Sequence, residues 1–438
     1  MPFNTAISGL SAANKDLNVV GNNIANANTI GFKSSRAEFS DIYQSSLNGE
    51  ALLNNVGSGV KTDKVNQLFT QGNISATGNN LDLTIDGKGF FILDDGGKTQ
   101  YTRAGIFGLD SSSALVANSG AKIQGYSASN AGVLSTNISD LTLHQSALQP
   151  RQTTEIILAA NLDSSSITPP DVSSFDAENP NSYNYSASTN ILDSLGNSHS
   201  LVSYFSKTST ANQWKLYAKV DGLDVGDPVA KAGLPTLASY NILFNSDGTI
   251  DTKNSDLAQI SYWNPVDATG KDNGALKGSP GENFPNVEPF AHSNFSIDLS
   301  KLTQTASDFS IVNNQQNGFP SGQLQNLEVS QDGIISGQYS NGQSRVLGQL
   351  ALAKFSNEQG LRSVGNTAWI STLESGDAIV GVANSEGMGA LHSGSLESSN
   401  VDLSNELISL IVAQRNFQAN AKTIQAEDEV AQAIINAH

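Results

Sequence analysis

Apolar positions recur along this chain in two different rhythms. Near the N-terminus, Ala6, Leu10, Ala13, Leu17, Val20, Ile24 and Ala27 alternate steps of four and three, which is the period of a helix with a narrow apolar seam. Asn4 or Thr5 is placed to cap its start, and Gly31, after Asn28-Thr29-Ile30, to stop it. The C-terminal segment repeats the pattern through Leu403, Leu407, Leu410, Gln414, Phe417, Ala421, Ile424, Asp428, Ala431 and Ile435, with polar interruptions at Gln414 and Asp428.

Between the ends the period shortens to two. Leu81-Asp82-Leu83-Thr84-Ile85-Asp86 alternates, Phe90-Phe91-Ile92-Leu93 is continuously apolar, and Asp94-Asp95-Gly96-Gly97 follows as a turn. Farther on, turns at Asp332-Gly333 and Asn341-Gly342 separate Leu327–Val329, Ile334–Tyr339 and Val346–Phe355, the signature of an antiparallel meander. The middle, about Gln149 to Asn314, carries short strands such as Leu201–Phe205, Trp214–Val220 and Ile242–Phe244 among loops rich in Pro, Asn, Ser and Asp. It reads as a separate β domain inserted into the first one. Asn48 to Gln67 is poor in apolar residues and reads as an extended connector.

Composition narrows the functional classes. With 438 residues the chain is too long for one ordinary core. A net charge of −18, with 23 Lys and Arg in no basic stripe, argues against nucleic acid or an anionic membrane as partner. No stretch approaches the ~20 apolar residues of a membrane helix. Met1 to Val20 is divided by Asn4, Ser8, Ser11, Asn14, Lys15 and Asp16, unlike a signal peptide. Cysteine is absent, which removes disulfides and thiolate metal sites from consideration.

Catalytic chemistry is not concentrated anywhere. His144, His199, His292, His392 and His438 lie far apart and form no metal-binding spacing. Gly97-Lys98-Thr99 lacks the leading glycine of a phosphate loop, since Ile92 stands there, and its context is a hairpin. Asn245-Ser246-Asp247-Gly248 resembles the middle of a calcium loop, but Leu243 and Asn254 occupy its end positions, so a turn is expected. A β-rich secreted enzyme or sugar-binding module acting as a monomer is the alternative to a structural subunit.

Energetics then point outward from the single chain. Burying a Leu, Val or Ile contributes ~1.5–3 kcal/mol and an Ala much less, while ordering each backbone residue costs ~1–2 kcal/mol. Seams this narrow and this rich in alanine leave a monomer's ends frayed. Alanine permits close helix approach, and Asn, Ser and Gln on the opposite faces suit a wet channel. A polymer with a ring of helices at its centre is the expected assembly.

The N-terminal run Ser8-Gly9-Leu10-Ser11-Ala12-Ala13 with Val20-Gly21-Asn22-Asn23-Ile24-Ala25-Asn26-Ala27-Asn28-Thr29-Ile30-Gly31-Phe32-Lys33 resembles the signature shared by bacterial flagellar rod and hook subunits. Ile85-Asp86-Gly87-Lys88-Gly89-Phe90-Phe91 and Tyr101-Thr102-Arg103-Ala104-Gly105 resemble the central β motifs of that axial protein family. Ser399-Asn400-Val401-Asp402-Leu403 through Val412-Ala413-Gln414-Arg415-Asn416-Phe417 and on to Ile424 resembles its C-terminal signature. The large insertion, Val346-Leu347-Gly348-Gln349 and Asn384 to Asn400 favour hook subunits within the family.

The resemblance implies a mainly β fold with α-helical termini, in which paired N- and C-terminal helices join a split β domain that carries an inserted outer one. The expected spans are 1–35 for the N-terminal helix, 36–70 for the connector and 71–148 for the first part of the inner β domain. The outer domain is expected at 149–314, the second inner part with its return connector at 315–395, and the C-terminal helix at 396–438. The implied role is a non-enzymatic subunit, without cofactor or metal, of a curved, flexible, hollow hook that transmits motor torque as a universal joint. Its implied partners are further copies of itself, a hook cap protein, the distal rod protein, a hook-filament junction protein and the flagellar type III export apparatus. Export without a cleaved signal peptide to the extracellular hook is also implied. Assembly is expected to rest on Ala6, Leu10, Ala13, Leu17, Val20 and Ile24 of the first helix. The matching set on the last helix is Leu403, Leu407, Leu410, Phe417, Ala421 and Ile424.

Overall fold

The computed structural model describes residues 2–42, 57, 59–129, 131–172, 174–226, 236–280, 286, 288–385 and 387–436. Half of the connector read at Asn48 to Gln67, residues 48–56 and 58, lies outside these, as does His438, and of Ile435 only the backbone is described. The chain forms two compact units. The first comprises Met1–Gln145, Leu324–Gln338 and Ser344–His438, and the second Ser146–Gln323 with Tyr339–Gln343. The span 149–314 lies inside the second unit.

In the first unit, α1 (Pro2–Ala25) starts at Pro2, so neither Asn4 nor Thr5 caps it. Proline suits a first turn, because its missing N–H has no helical partner there in any case. After Ala25 the chain turns through Asn26–Ile30 and reverses at Gly31, whose φ is 70°. A Cβ at Gly31 would stand 2.5 Å from the Ala104 nitrogen, which is a second reason for glycine. At the other end α2 (Leu403–Asn436) is capped by Asp402, whose Oδ1 accepts from the Ser404 and Asn405 amides at 2.9 and 3.2 Å.

Two strands follow α1. β1 (Ser35–Asp41) and β2 (Val60–Gln67) pair antiparallel from Ser35 opposite Gln67 to Asp41 opposite Val60, with a bulge at Glu38/Phe39. Their half-polar sequence shows little apolar alternation, and the Val60 amide donates to Ser8 Oγ of α1 at 3.1 Å. β3 (Ile74–Ala76) and β4 (Leu83–Asp86) pair with the returning strands Ser395–Glu397 and Ala390–Ser393. This places the entry to α2 beside the exit from β2.

The large sheet of the first unit is built around β5 (Phe90–Asp94) and the long strand Ser344–Lys354, which also pairs with Ile334–Tyr339, Lys122–Ala128 and Ile379–Val382. The continuous apolar run in β5 has a direct cause. Phe91 and Leu93 enter one core with Leu83, Ile123 and Leu352, while Phe90 and Ile92 enter another with Tyr101, Phe355 and Trp369. A strand buried on both faces has no polar side to show.

The second unit packs two sheets over one core. One joins Glu155–Asp163 to parallel Phe295–Asp298 and Thr303–Thr305 and to antiparallel Ser310–Gln316. The other joins Tyr185–Leu192, Ser198–Lys207, Gln213–Val220 and Ala238–Leu243. Alternate residues Ile156, Leu158, Ala160 and Leu162 of the first sheet meet Leu201, Phe205, Trp214 and Leu216 of the second. Trp214 donates its indole N–H to Gln304 Oε1 at 3.0 Å. Where the chain enters and leaves this unit, Leu148 and Gly322 exchange backbone hydrogen bonds of 2.8 and 3.1 Å.

Candidate assembly surface

The helices α1 and α2 run antiparallel, with Gly9 against Asn420 at one end and Asn23 bonded to Glu406 at the other. On α1, Ala6, Ala13 and Val20 are buried and Leu10, Leu17 and Ile24 half-buried. A second buried line, Ala12, Val19 and Asn23, lies on the adjacent face. Asn23 joins three elements, since its Oδ1 accepts from the Ser35 amide at 2.9 Å while its Nδ2 donates to the Ser35 carbonyl at 2.8 Å and to Glu406 Oε1 at 3.0 Å. The helices therefore pack against each other and β1 through polar ties as well as apolar contact. Close approach at alanine and glycine, together with these polar ties, supplies what the narrow seam lacks.

The packed line of α2 is not the one its apolar residues draw. Glu406, Leu410, Ala413, Phe417, Asn420, Ile424 and Glu427 are the buried or half-buried positions, stepping four and three as a heptad seam does. Ala413 is fully buried, whereas Leu403 and Leu407 are 44% and 50% exposed and Gln414 and Asp428 point outward. Ala421 is half-buried beside the line. Glu406 and Asn420, polar members of the true seam, hide it from an apolar count. Stepping back from Phe417 to Ala413 was the signal available.

What remains uncovered is more telling. Leu403, Leu407 and Ile411 form one exposed row, Ile408 and Val412 the next, and on α1 Phe3 and Ile7 are 45% and 44% exposed. Contiguous apolar surface of this kind marks a contact awaiting a partner. The carboxyls near the seam feel their burial. Asp16 is pushed up by desolvation, and Glu406 is pushed up by burial, with the Asn23 hydrogen bond opposing and the charges of Asp16 and Asp402 assisting.

Beneath the helix pair lies a buried ionic node that sequence reasoning missed. Lys33 Nζ meets Glu397 Oε1 at 2.6 Å and Arg103 Nη1 meets Glu397 Oε2 at 3.3 Å, with side chains of Lys33 and Glu397 1% exposed and Arg103 4%. The Gly72 amide donates to Glu397 Oε1 at 2.9 Å, and Lys33 also donates to the Thr70 carbonyl at 2.7 Å. Arg103 reaches the carbonyls of Ile85 and Gly87 at 3.3 and 2.7 Å and lies over the Phe90 ring. Burial lowers the pKa of both cations, and the Glu397 charge opposes that shift. Nearby, Asn400 Oδ1 accepts from the Ser34 amide and its Nδ2 donates to the Leu68 carbonyl, both at 2.7 Å.

The remaining chemical candidates stay apart. Gly97-Lys98-Thr99 closes a hairpin, and Asp247 takes the Thr249 amide and hydroxyl in a turn. His199 sits between Asp221 at 2.6 Å and Asp193 at 3.3 Å. Among the described residues no group of His, Asp or Glu is arranged to hold a metal ion, and no helix is long and apolar enough to cross a membrane.

Comparison with known proteins gives this arrangement a class. Residues 3–33 match the family model of flagella basal body rod proteins, 84–169 that of the flagellar hook protein FlgE/F/G D1 domain, 161–319 that of the flagellar basal body protein FlaE D2 domain, and 392–437 that of the flagellar basal body rod FlgEFG protein C-terminal region. These are axial components of the flagellum. The flagellar hook protein FlgE of Salmonella typhimurium is 37% identical over 440 residues, and that of Escherichia coli K12 38% over 444, each comparison covering 100% of both chains. That of Treponema pallidum is 32% identical over 99% of this chain and 98% of its own. The chain belongs to the flagellar hook protein family, as a structural subunit that self-polymerises within the hook and basal body. The crystal structure of Helicobacter pylori flagellar hook protein FlgE2 shares the fold, with a TM-score of 0.51 at 14% identity over 74% of this chain and 100% of that one.

Proposed function

We propose that copies of this chain stack into a curved, flexible, hollow tube that acts as a universal joint and transmits motor torque between rod and filament. The observation that carries the reading is the exposed row Leu403, Leu407 and Ile411 on a helix whose other face is already occupied by α1. Such a row is satisfied by a neighbouring copy, and a surface that meets a different surface of the next copy propagates an open helix. The assembly residues named from the sequence then divide by task. Ala6, Leu10, Ala13, Leu17, Val20, Ile24, Leu410, Phe417, Ala421 and Ile424 hold the pair together, and Leu403 and Leu407 face the neighbour. The β domains, over about 71–148, 149–314 and 315–395, build the outer wall.

The tube's partners are the distal rod protein below, a hook-filament junction protein above, a hook cap protein during growth, and the flagellar type III export apparatus that delivers the chain unfolded. Export without a cleaved signal peptide agrees with the place of α1 in the fold, because removing residues 2–25 would uncover Leu410, Ala413 and Phe417. The role is structural and not enzymatic. The test is electron microscopy of a strain lacking the protein, complemented with wild type or with Leu407→Ser/Ile411→Ser. Rods without hooks in the deletion and in the double variant, with hooks restored by wild type, are expected, and normal flagella in the deletion would end this reading.

A further inference from the structure

Every segment that carries a terminal helix passes one buried point. Lys33 follows the turn that ends α1, Gly72 follows β2, and Glu397 precedes the loop into α2, while Arg103 belongs to the β part and is fixed to it at Ile85 and Gly87. Buried ions are weak evidence for stability, because apolar residues of similar volume serve a core as well. What an ion group adds is register, since Glu397 is satisfied only when Lys33, Gly72 and Arg103 arrive together. Resting on the polymer reading, we infer that Lys33, Arg103 and Glu397 are positioning residues for assembly. They set where and at what angle the α1–α2 pair leaves the β part, and so present the exposed row of α2 to the next copy in one orientation.

The node is asymmetric in charge, with one carboxylate facing two cations. Removing Lys33 leaves a neutral Arg103–Glu397 pair, whereas removing the Glu397 charge leaves two like charges buried without a counterion. Glu397→Gln is therefore the severe variant and Lys33→Met the mild one. The Asn400 ties to Ser34 and Leu68 survive in both, so that the β1–β2 ribbon still meets the start of α2.

Because the chain contains no cysteine, a Thr99→Cys/Ser409→Cys pair labels one exposed site on the β part and one on α2 without background. Spin-label distances within labelled subunits diluted into unlabelled tubes report the angle of the helix pair, and tube growth is measured separately. The expected result is a narrow distribution in otherwise wild-type protein, at least twofold broadening in Glu397→Gln and a smaller broadening in Lys33→Met. The concentration needed for tube growth should rise at least tenfold in Glu397→Gln. Should Glu397→Gln fail to fold, Lys33→Met decides by itself, since an unchanged distance distribution in a folded Lys33→Met protein overturns the inference. An unchanged distribution in folded Glu397→Gln overturns it as well. Wild-type protein that forms no tubes would instead count against the polymer reading.

Discussion

Gly9 of α1 lies so close to Asn420 of α2 that a Cβ on Gly9 would stand 2.6 Å from Asn420 Oδ1. The atom in the way is the end of a side chain, so a methyl group at position 9 displaces Asn420 and not the helix backbone. Alanine also gains ~1 kcal/mol of helix propensity over glycine. Gly9→Ala should therefore leave pairing nearly unchanged, whereas Gly9→Leu should force the helices apart. Hydrogen exchange of the α2 amides checks this, with loss of protection expected for leucine alone.

Ala413 makes the complementary case, being fully buried at the centre of the same seam. Ala413→Leu has no room, and overpacking of this kind typically costs ~1–3 kcal/mol. The loss should appear as earlier melting of helical signal, with the β transitions unmoved. A stabilised helix pair in that variant would show that the seam lies elsewhere.

Acidification should act in opposite directions on the helix pair and on a surface ion pair of the β part. Asp16 and Glu406 have folded pKa values raised above their ordinary 3.8 and 4.5, chiefly by burial. The paired state thus holds more protons than the free helices, and pairing gains stability as pH falls through those raised values towards the ordinary ones. Asp140 is held below 3.8, first by the hydrogen bond from Lys122. Its contribution is present above the ordinary value and is lost as pH falls through the depressed one. Protection factors of α2 amides should rise on mild acidification, and Glu406→Gln should abolish most of that rise.

Gly105 tests the packing of the motif that carries Arg103. A Cβ there would stand 1.6 Å from the Leu83 carbonyl oxygen, and the Leu83 amide donates to the Gly105 carbonyl at 2.9 Å. Backbone opposes the new atom on an already bonded strand, so Gly105→Ala should destabilise the first unit by more than ~3 kcal/mol. Denaturant unfolding should show the first unit lost while the tryptophan signal of the second, from Trp214 and Trp263, melts at its usual point.

Much of this architecture was legible in the chain. The two terminal helices, β5 and the turns at Gly333 and Gly342 follow from periodicity and glycine, and both glycines adopt φ near the left-handed region, 78° and 77°. The pairing of β1 with β2 was not legible, because a ribbon of half-polar residues resting on a helix needs no alternation. Nor was the ionic node, since Lys33 and Glu397 are 364 positions apart and each is an ordinary charged residue in its own neighbourhood. The start of the α2 line that packs on α1 was not legible, because Glu406 and Asn420 fill packed positions with polar side chains, Glu406 bonded to Asn23 across the helices and Asn420 lying against Gly9. Periodicity reports which residues avoid water, and it is silent about those that leave water for a specific partner.

The backbone hydrogen bonds between Leu148 and Gly322 bring the two ends of the Ser146–Gln323 segment, which makes up nearly all of the second unit, side by side. A module whose two ends meet behaves as a cartridge. It can be lengthened, shortened or exchanged for another with adjacent ends while the strands on either side keep their register. In the assembly proposed above, variation in this unit is in this way uncoupled from the terminal helices, and a foreign domain with neighbouring termini could be carried at the same position.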